Sequence, residues 1–154
     1  MQDASIAAIR ARLQAAADAH VTGEPFEHPL EDVPAVGPVA LLRTRLGLTD
    51  TEWAVLWLLV AHELCPTSRR LVRELNSEPV PDPTLDAIRR VIYRGTRDPR
   101  AWRELGRDGA LHRLSLIEWT DGNPALPDHR RTLRASSRVL ALVHDDLDLD
   151  RELA

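Results

Sequence analysis

The residues best suited to chemistry in this sequence are arginines. Arg89, Arg90, Arg94, Arg97, Arg100, Arg103 and Arg107 crowd one stretch, and Arg130, Arg131, Arg134 and Arg138 form a second group. A guanidinium stays charged at any working pH and offers a planar fork of N–H donors, which suits phosphate oxygens and the edge of guanine. Arg89, Arg90, Arg94, Arg97, Arg130, Arg131 and Arg134 are therefore the candidate partner- or nucleic-acid-binding residues. Two other readings fit the same positions. The arginines can form a solvated face paired with Asp86, Asp98, Glu104 and Asp108, or they can dock an acidic protein surface.

The charge balance sets these readings against each other. All twenty basic residues are arginine, and the chain of 154 residues has a net charge of −4. Residues 1–88 hold seven Arg and thirteen acids (−6), residues 89–138 twelve Arg and six acids (+6), and residues 139–154 one Arg and five acids (−4). A locally basic block inside an acidic protein is a poor design for strong non-specific binding to DNA, which rests on neutralising phosphates. Acidic flanks can also mask the block.

Other chemistries lack their residues. Without lysine there is no Schiff-base amine and no P-loop lysine. His20, His28, His62, His112, His129 and His144 are not spaced with one another or with Cys65 as a zinc pair. His62-Glu63 lacks the second histidine of a zinc-protease helix. The alternation Asp146, Asp148, Asp150 lacks the glycine and the closing glutamate of a calcium loop. The seven glycines make no phosphate cradle, and there is no G-x-S-x-G elbow. The expectation is a chain with no catalytic, metal or cofactor site. The single cysteine excludes an internal disulfide and reads as a buried thiol, which fits a cytoplasmic location. The opening residues lack the basic leader and apolar core of a signal peptide, and no membrane partner is expected.

The elements that position the arginines follow from apolar spacing and punctuation. Leu48 to Leu64 is the longest apolar run. Trp53, Leu56, Trp57, Val60, Ala61 and Leu64 recur at helical spacing, Thr49 and Glu52 form a capping box, and Cys65-Pro66 marks the end. This run predicts a central core helix. Ala4 to His20 predicts an Ala-rich helix of weak hydrophobicity, read as peripheral or as a dimerising arm. Thr22 to Pro38 is a proline-rich linker. Val39 to Leu46 is a short helix closed by a left-handed Gly47. Thr67 to Asn76 is a helix facing the core with Leu71, Val72 and Leu75.

Asp82-Pro83 and Asp98-Pro99 each read as a cap followed by a first-turn proline. The first starts a helix to about Tyr93, closed by Gly95, that buries Leu85, Ile88, Val91 and Ile92. The second starts a short helix anchored by Trp102 and Leu105. Leu111 to Trp119 lacks a helical stripe and predicts a strand, with Arg131 to Ala135 as its partner across a long hairpin loop. Ser136 or Ser137 then caps a last helix carrying Val139, Leu140, Leu142 and Val143. Three helices followed by a hairpin give a mainly α, winged-helix-like domain with a two-stranded β-hairpin and an N-terminal helical extension. The helix at 83–93 occupies the place of a recognition helix, and residues 120–130 that of the wing. The expected division is 1–35 helix and linker, 36–145 winged-helix-like domain, and 146–154 acidic tail.

The run LGLTDTEWAVLWLLVAHELCPTSRRLVREL resembles the N-terminal winged-helix-like domain of bacterial AAA-type ATPases. The likeness lies in Leu46-Gly47-Leu48, Thr49, Glu52, Val55 to Val60, Glu63-Leu64, Pro66 and Arg70-Leu71. Leu111 to Leu116, Arg131 to Arg134 and Val139 to Val143 fit that domain's ending. The resemblance spans roughly residues 36–145. It implies a non-catalytic adaptor that positions an ATPase on a protein partner or mediates self-association as a homo-oligomer. It also implies an ATPase module downstream, to which ATP and magnesium would belong. The alternative is a winged-helix DNA-binding regulator using Arg89, Arg90 and Arg94 with a wing at Arg130 and Arg131.

Overall fold

The computed structural model describes residues 2–34, 38–76, 79–94, 98–123 and 125–144. Helices α1 (Gln2–Thr22), α2 (Pro38–Leu46), α3 (Asp50–Leu64), α4 (Pro66–Leu75), α5 (Leu85–Ile92), α6 (Pro99–Leu105) and α7 (Ala110–Arg113) precede a hairpin of β1 (Ile117–Trp119) and β2 (Leu133–Ala135). Residues 137–144 form a closing helix, α8. The fold is mainly helical with a small antiparallel sheet, as the sequence predicts.

Helix α3 is the centre. Thr49 and Glu52 complete the capping box from both sides, and every residue from Thr51 to His62 is buried. Such a cap contributes about 1 kcal/mol. Trp53 meets Trp57 edge to face at 5.8 Å, and the Trp53 indole N–H donates to the Val33 carbonyl at 3.1 Å. That bond fixes the proline-rich segment, which has no helix or strand over residues 24–34 and runs against the core through Phe26, Leu30 and Val33. Arg12 secures it again, donating to the carbonyls of His28 and Pro29 and, through Nε, to that of Val91 at 2.5 Å.

Helix α1 corrects the expectation of a peripheral arm. Ile9, Leu13, Ala16 and Ala17 are fully buried, and α1 packs on α3, α4 and α5. Its weak hydrophobicity misleads because alanines bury little area yet let two helix backbones approach closely.

The α2 end is as predicted. Gly47 sits at φ 65, and Leu48 N–H closes back on the Arg43 carbonyl. The region after α6 differs from the prediction. The segment read as a strand from Leu111 begins as the helical turn α7, and only Ile117–Trp119 is strand. Helix α7 ends in the same motif as α2. Ser115 N–H reaches the His112 carbonyl and Leu116 N–H that of Leu111, with Ser115 at φ 58. A serine holds the left-handed position that glycine usually marks, so the stop signal is absent from the sequence.

The recognition-helix position is also refined. Thr84, not Asp82, caps α5, accepting from Ala87 N–H. Thr84 bridges Thr132, while Leu85 N–H donates to the Arg131 carbonyl and Leu133 N–H to that of Pro83. The start of α5 is thereby stitched to the base of the hairpin. Leu85, Ile88, Val91 and Ile92 face the core as expected. Ser136 caps α8, accepting from Val139 N–H. Among the described residues, no helix is long and apolar enough to cross a membrane. Gly95 and the acidic tail 146–154 lie outside the described residues.

Candidate functional site

The arginines of α5 are turned toward the protein. Arg89 is only 4% exposed, and its guanidinium carbon lies 4.4 Å from the centre of the Trp102 ring. Burying a guanidinium against an aromatic face recovers part of its lost hydration. Arg90 bonds Asp86 at 2.5 Å, one helical turn back, and contacts the Leu75 carbonyl and His20 Nδ1 at 3.4 Å. Arg94, just past α5, is exposed. With Arg90, His20 and Phe26 it lines a cavity of about 340 Å³ between the end of α1, the proline-rich segment and α5, where Glu24 and Glu27 also stand. Arg97 lies outside the described residues.

The wing shows the same inward use. The Arg131 guanidinium carbon lies 3.8 Å from the centre of the Trp119 ring, and its Nε donates to Asp121 at 3.3 Å; the two side chains are 13% and 6% exposed. His112 stacks on Trp119 at 4.7 Å. Burial pushes the His112 imidazole below its usual pKa, and the nearby Arg131 charge adds to the effect. Asp121 also accepts from Thr132 and Asn123 N–H. Burial alone would raise its pKa, but these bonds and Arg131 together hold it below the usual range. Arg134 on β2 points between Glu118 at 3.5 Å and Glu63 at 3.9 Å. Arg130, in the 3-10 turn Asp128–Arg130, is exposed.

Helix α6 behaves differently. Asp98 caps it, and Pro99 fills its first turn, as predicted. Asp98 accepts from the Arg100 side chain and from the backbone N–H of Arg100 and Arg94, and is held down to about 2. Glu104 turns inward as a junction. It accepts from Thr49 at 2.8 Å, from Thr51, and from the Tyr93 hydroxyl at 2.8 Å, tying α6 to the starts of α3 and the end of α5. Burial and the Glu104 charge push the Tyr93 hydroxyl far up, so it stays protonated. Gly109 lets the chain pass under this turn, since a Cβ there would lie 2.5 Å from the Glu104 carbonyl oxygen.

Ala101 and Leu105 are the buried side of α6. Trp102, expected as a core anchor, is instead 53% exposed. The signal was present: Ala101 and Leu105 share a helical face from which Trp102 is rotated by about 100°. Arg103 and Arg107 are exposed. The structure thus brings Arg89 and Trp102 together and separates Arg89 from the surface. The acid pairing foreseen for the block is present at Asp86 and Asp98 but not at Glu104, whose partners are hydroxyls.

Two further groups differ from expectation or stand apart. Cys65, expected to be buried, is part-exposed at the start of α4. His62 is buried, with Nε2 3.0 Å from the Pro81 carbonyl, and burial lowers its pKa. Among the described residues, no cluster of His, Cys, Asp or Glu could hold a metal ion.

A helical core whose helix α5 is stitched to an antiparallel hairpin defines a winged-helix domain. The chain belongs to the "Winged helix domain, variant" family, whose model matches residues 2–154. No match was found among curated proteins or among solved structures.

Proposed function

We propose that this chain is a non-catalytic protein-interaction domain, the N-terminal adaptor of an AAA-type ATPase, which positions the ATPase on a protein partner or mediates self-association. The observation that carries this reading is the burial of Arg89 beneath Trp102. A helix that reads a major groove needs side chains free to reach base edges and phosphates. Here Arg89 faces inward and Arg90 is tied to Asp86, while an indole is left outside. Exposed Trp beside Arg is the chemistry of protein interfaces, where both residue types are enriched at energetic centres. The ATPase assignment draws on the sequence resemblance, and ATP and magnesium would belong to that module.

The test is a search of the encoding locus for an AAA-type module, followed by sedimentation of the chain mixed with it; absence of the module overturns the ATPase assignment. One faster-moving species is the expected result; two independent species overturn the adaptor reading. The second reading, a DNA-binding regulator, is favoured by exposed Arg94 at the end of α5.

A further inference from the structure

Trp102 combines exposure with rigidity. Its helix buries Ala101 and Leu105, and buried Arg89 backs the indole at 4.4 Å. One ring face is therefore supported from behind. A pre-positioned aromatic ring loses little freedom when a ligand covers it.

Its surroundings are cationic. Arg94, Arg103 and Arg107 are exposed, and no ion pair to a carboxylate is formed by them among the described residues. The neighbouring acids are engaged elsewhere, Asp98 with Arg100 and backbone N–H groups, Glu104 with three hydroxyls. Asp108 alone of the acids in 98–108 is exposed. At the start of the same helix, Arg94, Asp98, Pro99 and Arg100 line an open groove of about 520 Å³. Pro99 lies three residues before Trp102, so groove and ring share one helix face.

We infer that the α6 face around Trp102 docks an acidic segment of a partner protein, which deepens and rests on the reading of the chain as an interaction domain. Carboxylates of that segment pair with Arg94 and Arg103, and an apolar side chain lies on the indole. Charge complementarity selects this occupant over a nucleic acid. A long polyanion senses the acidic remainder of the chain, −6 over residues 1–88. A short acidic segment senses only charges within a Debye length, about 8 Å at physiological salt. The face also offers a single stacking ring, whereas single-strand binders align several.

The experiment is fluorescence anisotropy of the full chain with two labelled probes, a short peptide of alternating Asp and Leu and a single-stranded oligonucleotide of equal length. The peptide should bind, and more weakly as salt rises. Trp102→Ala should weaken it about tenfold or more, and Arg94→Ala with Arg103→Ala about fivefold. Arg103→Glu reverses an exposed charge without touching Arg89, so it keeps the test decisive if Trp102→Ala loosens the fold. No peptide binding, binding indifferent to Trp102→Ala and Arg103→Glu, or preference for the oligonucleotide overturns the inference. If the peptide fails while the chain still co-sediments with the ATPase module, this inference alone falls. If both fail, the reading beneath it falls too.

Discussion

On α5 and the hairpin, Arg89, Arg90 and Arg131 each meet an indole, a carboxylate or both. On α6 and just past its end, Arg103 and Arg107 are exposed. The same side chain thus does two jobs in neighbouring regions. In the first it closes the packing of a helix and a wing, and in the second it stays exposed to solvent. The difference arises from where the aromatic rings stand. Trp119, at the end of β1, stacks with His112 and carries Arg131 over its ring, whereas Trp102 has Arg89 buried against it and itself stays outside. A basic block in a winged-helix sequence is therefore not by itself a nucleic-acid surface.

Substitutions can break this contrast. Arg131→Ala leaves Asp121 nearly buried without its cation, and should cost about 3 kcal/mol in chemical denaturation. A loss within about 0.5 kcal/mol would put the wing arginine in the same class as those of α6. Glu104→Ala removes the acceptor for Thr49, Thr51 and Tyr93, and should cost about 2 kcal/mol by the same measurement. It should also loosen α6 and, with it, the support of Trp102, seen as changed tryptophan emission.

Acid should act through His62 and the half-buried His112. His62 and His112 are depressed in the folded state, so the unfolded chain takes up their protons first. Their contribution is complete above the unfolded value of about 6.5 and is lost as pH falls from there through the folded values. Melting temperature should hold from neutral pH until unfolded tyrosine begins to ionise at about pH 10, and should drop below about pH 6.5. His112→Gln should flatten part of the drop. Asp98 and Asp121, depressed carboxylates, act in a separate window, losing their contribution only below about pH 4. A melting profile level down to pH 5 would contradict the burial argument for the histidines.

Smaller effects sharpen the contrast. Ser115→Gly relieves the left-handed residue that leads from α7 into the wing, and should raise stability by about 0.5–1 kcal/mol. Arg103→Ala should change stability by less than about 0.5 kcal/mol, because its exposed side chain holds no ion pair or hydrogen bond among the described residues. Both are read from denaturation midpoints.

Much of the frame was legible because it rests on local rules. The Thr49 and Glu52 box, the Gly47 stop, the Asp98-Pro99 cap and the apolar face of α5 each depend on a few adjacent residues. The candidate site was less legible because it depends on distant partners. Arg89 turns inward against the ring of Trp102, on another helix, and neither residue type announces that pairing. Helix α7 escaped notice because Ser115 replaces the glycine of its stop signal. The burial of α1 escaped because alanine faces look weak until two helices meet.

The central claim is that α5 and the wing do not read a duplex. Its most direct test is an anisotropy titration of the chain against labelled duplex DNA at low and at physiological salt. The account predicts binding no tighter than the weak non-specific range, about 10⁻⁴–10⁻⁶ M at physiological salt, and unchanged by Arg94→Ala. Tighter binding that falls steeply with salt and is lost with Arg94→Ala would contradict it.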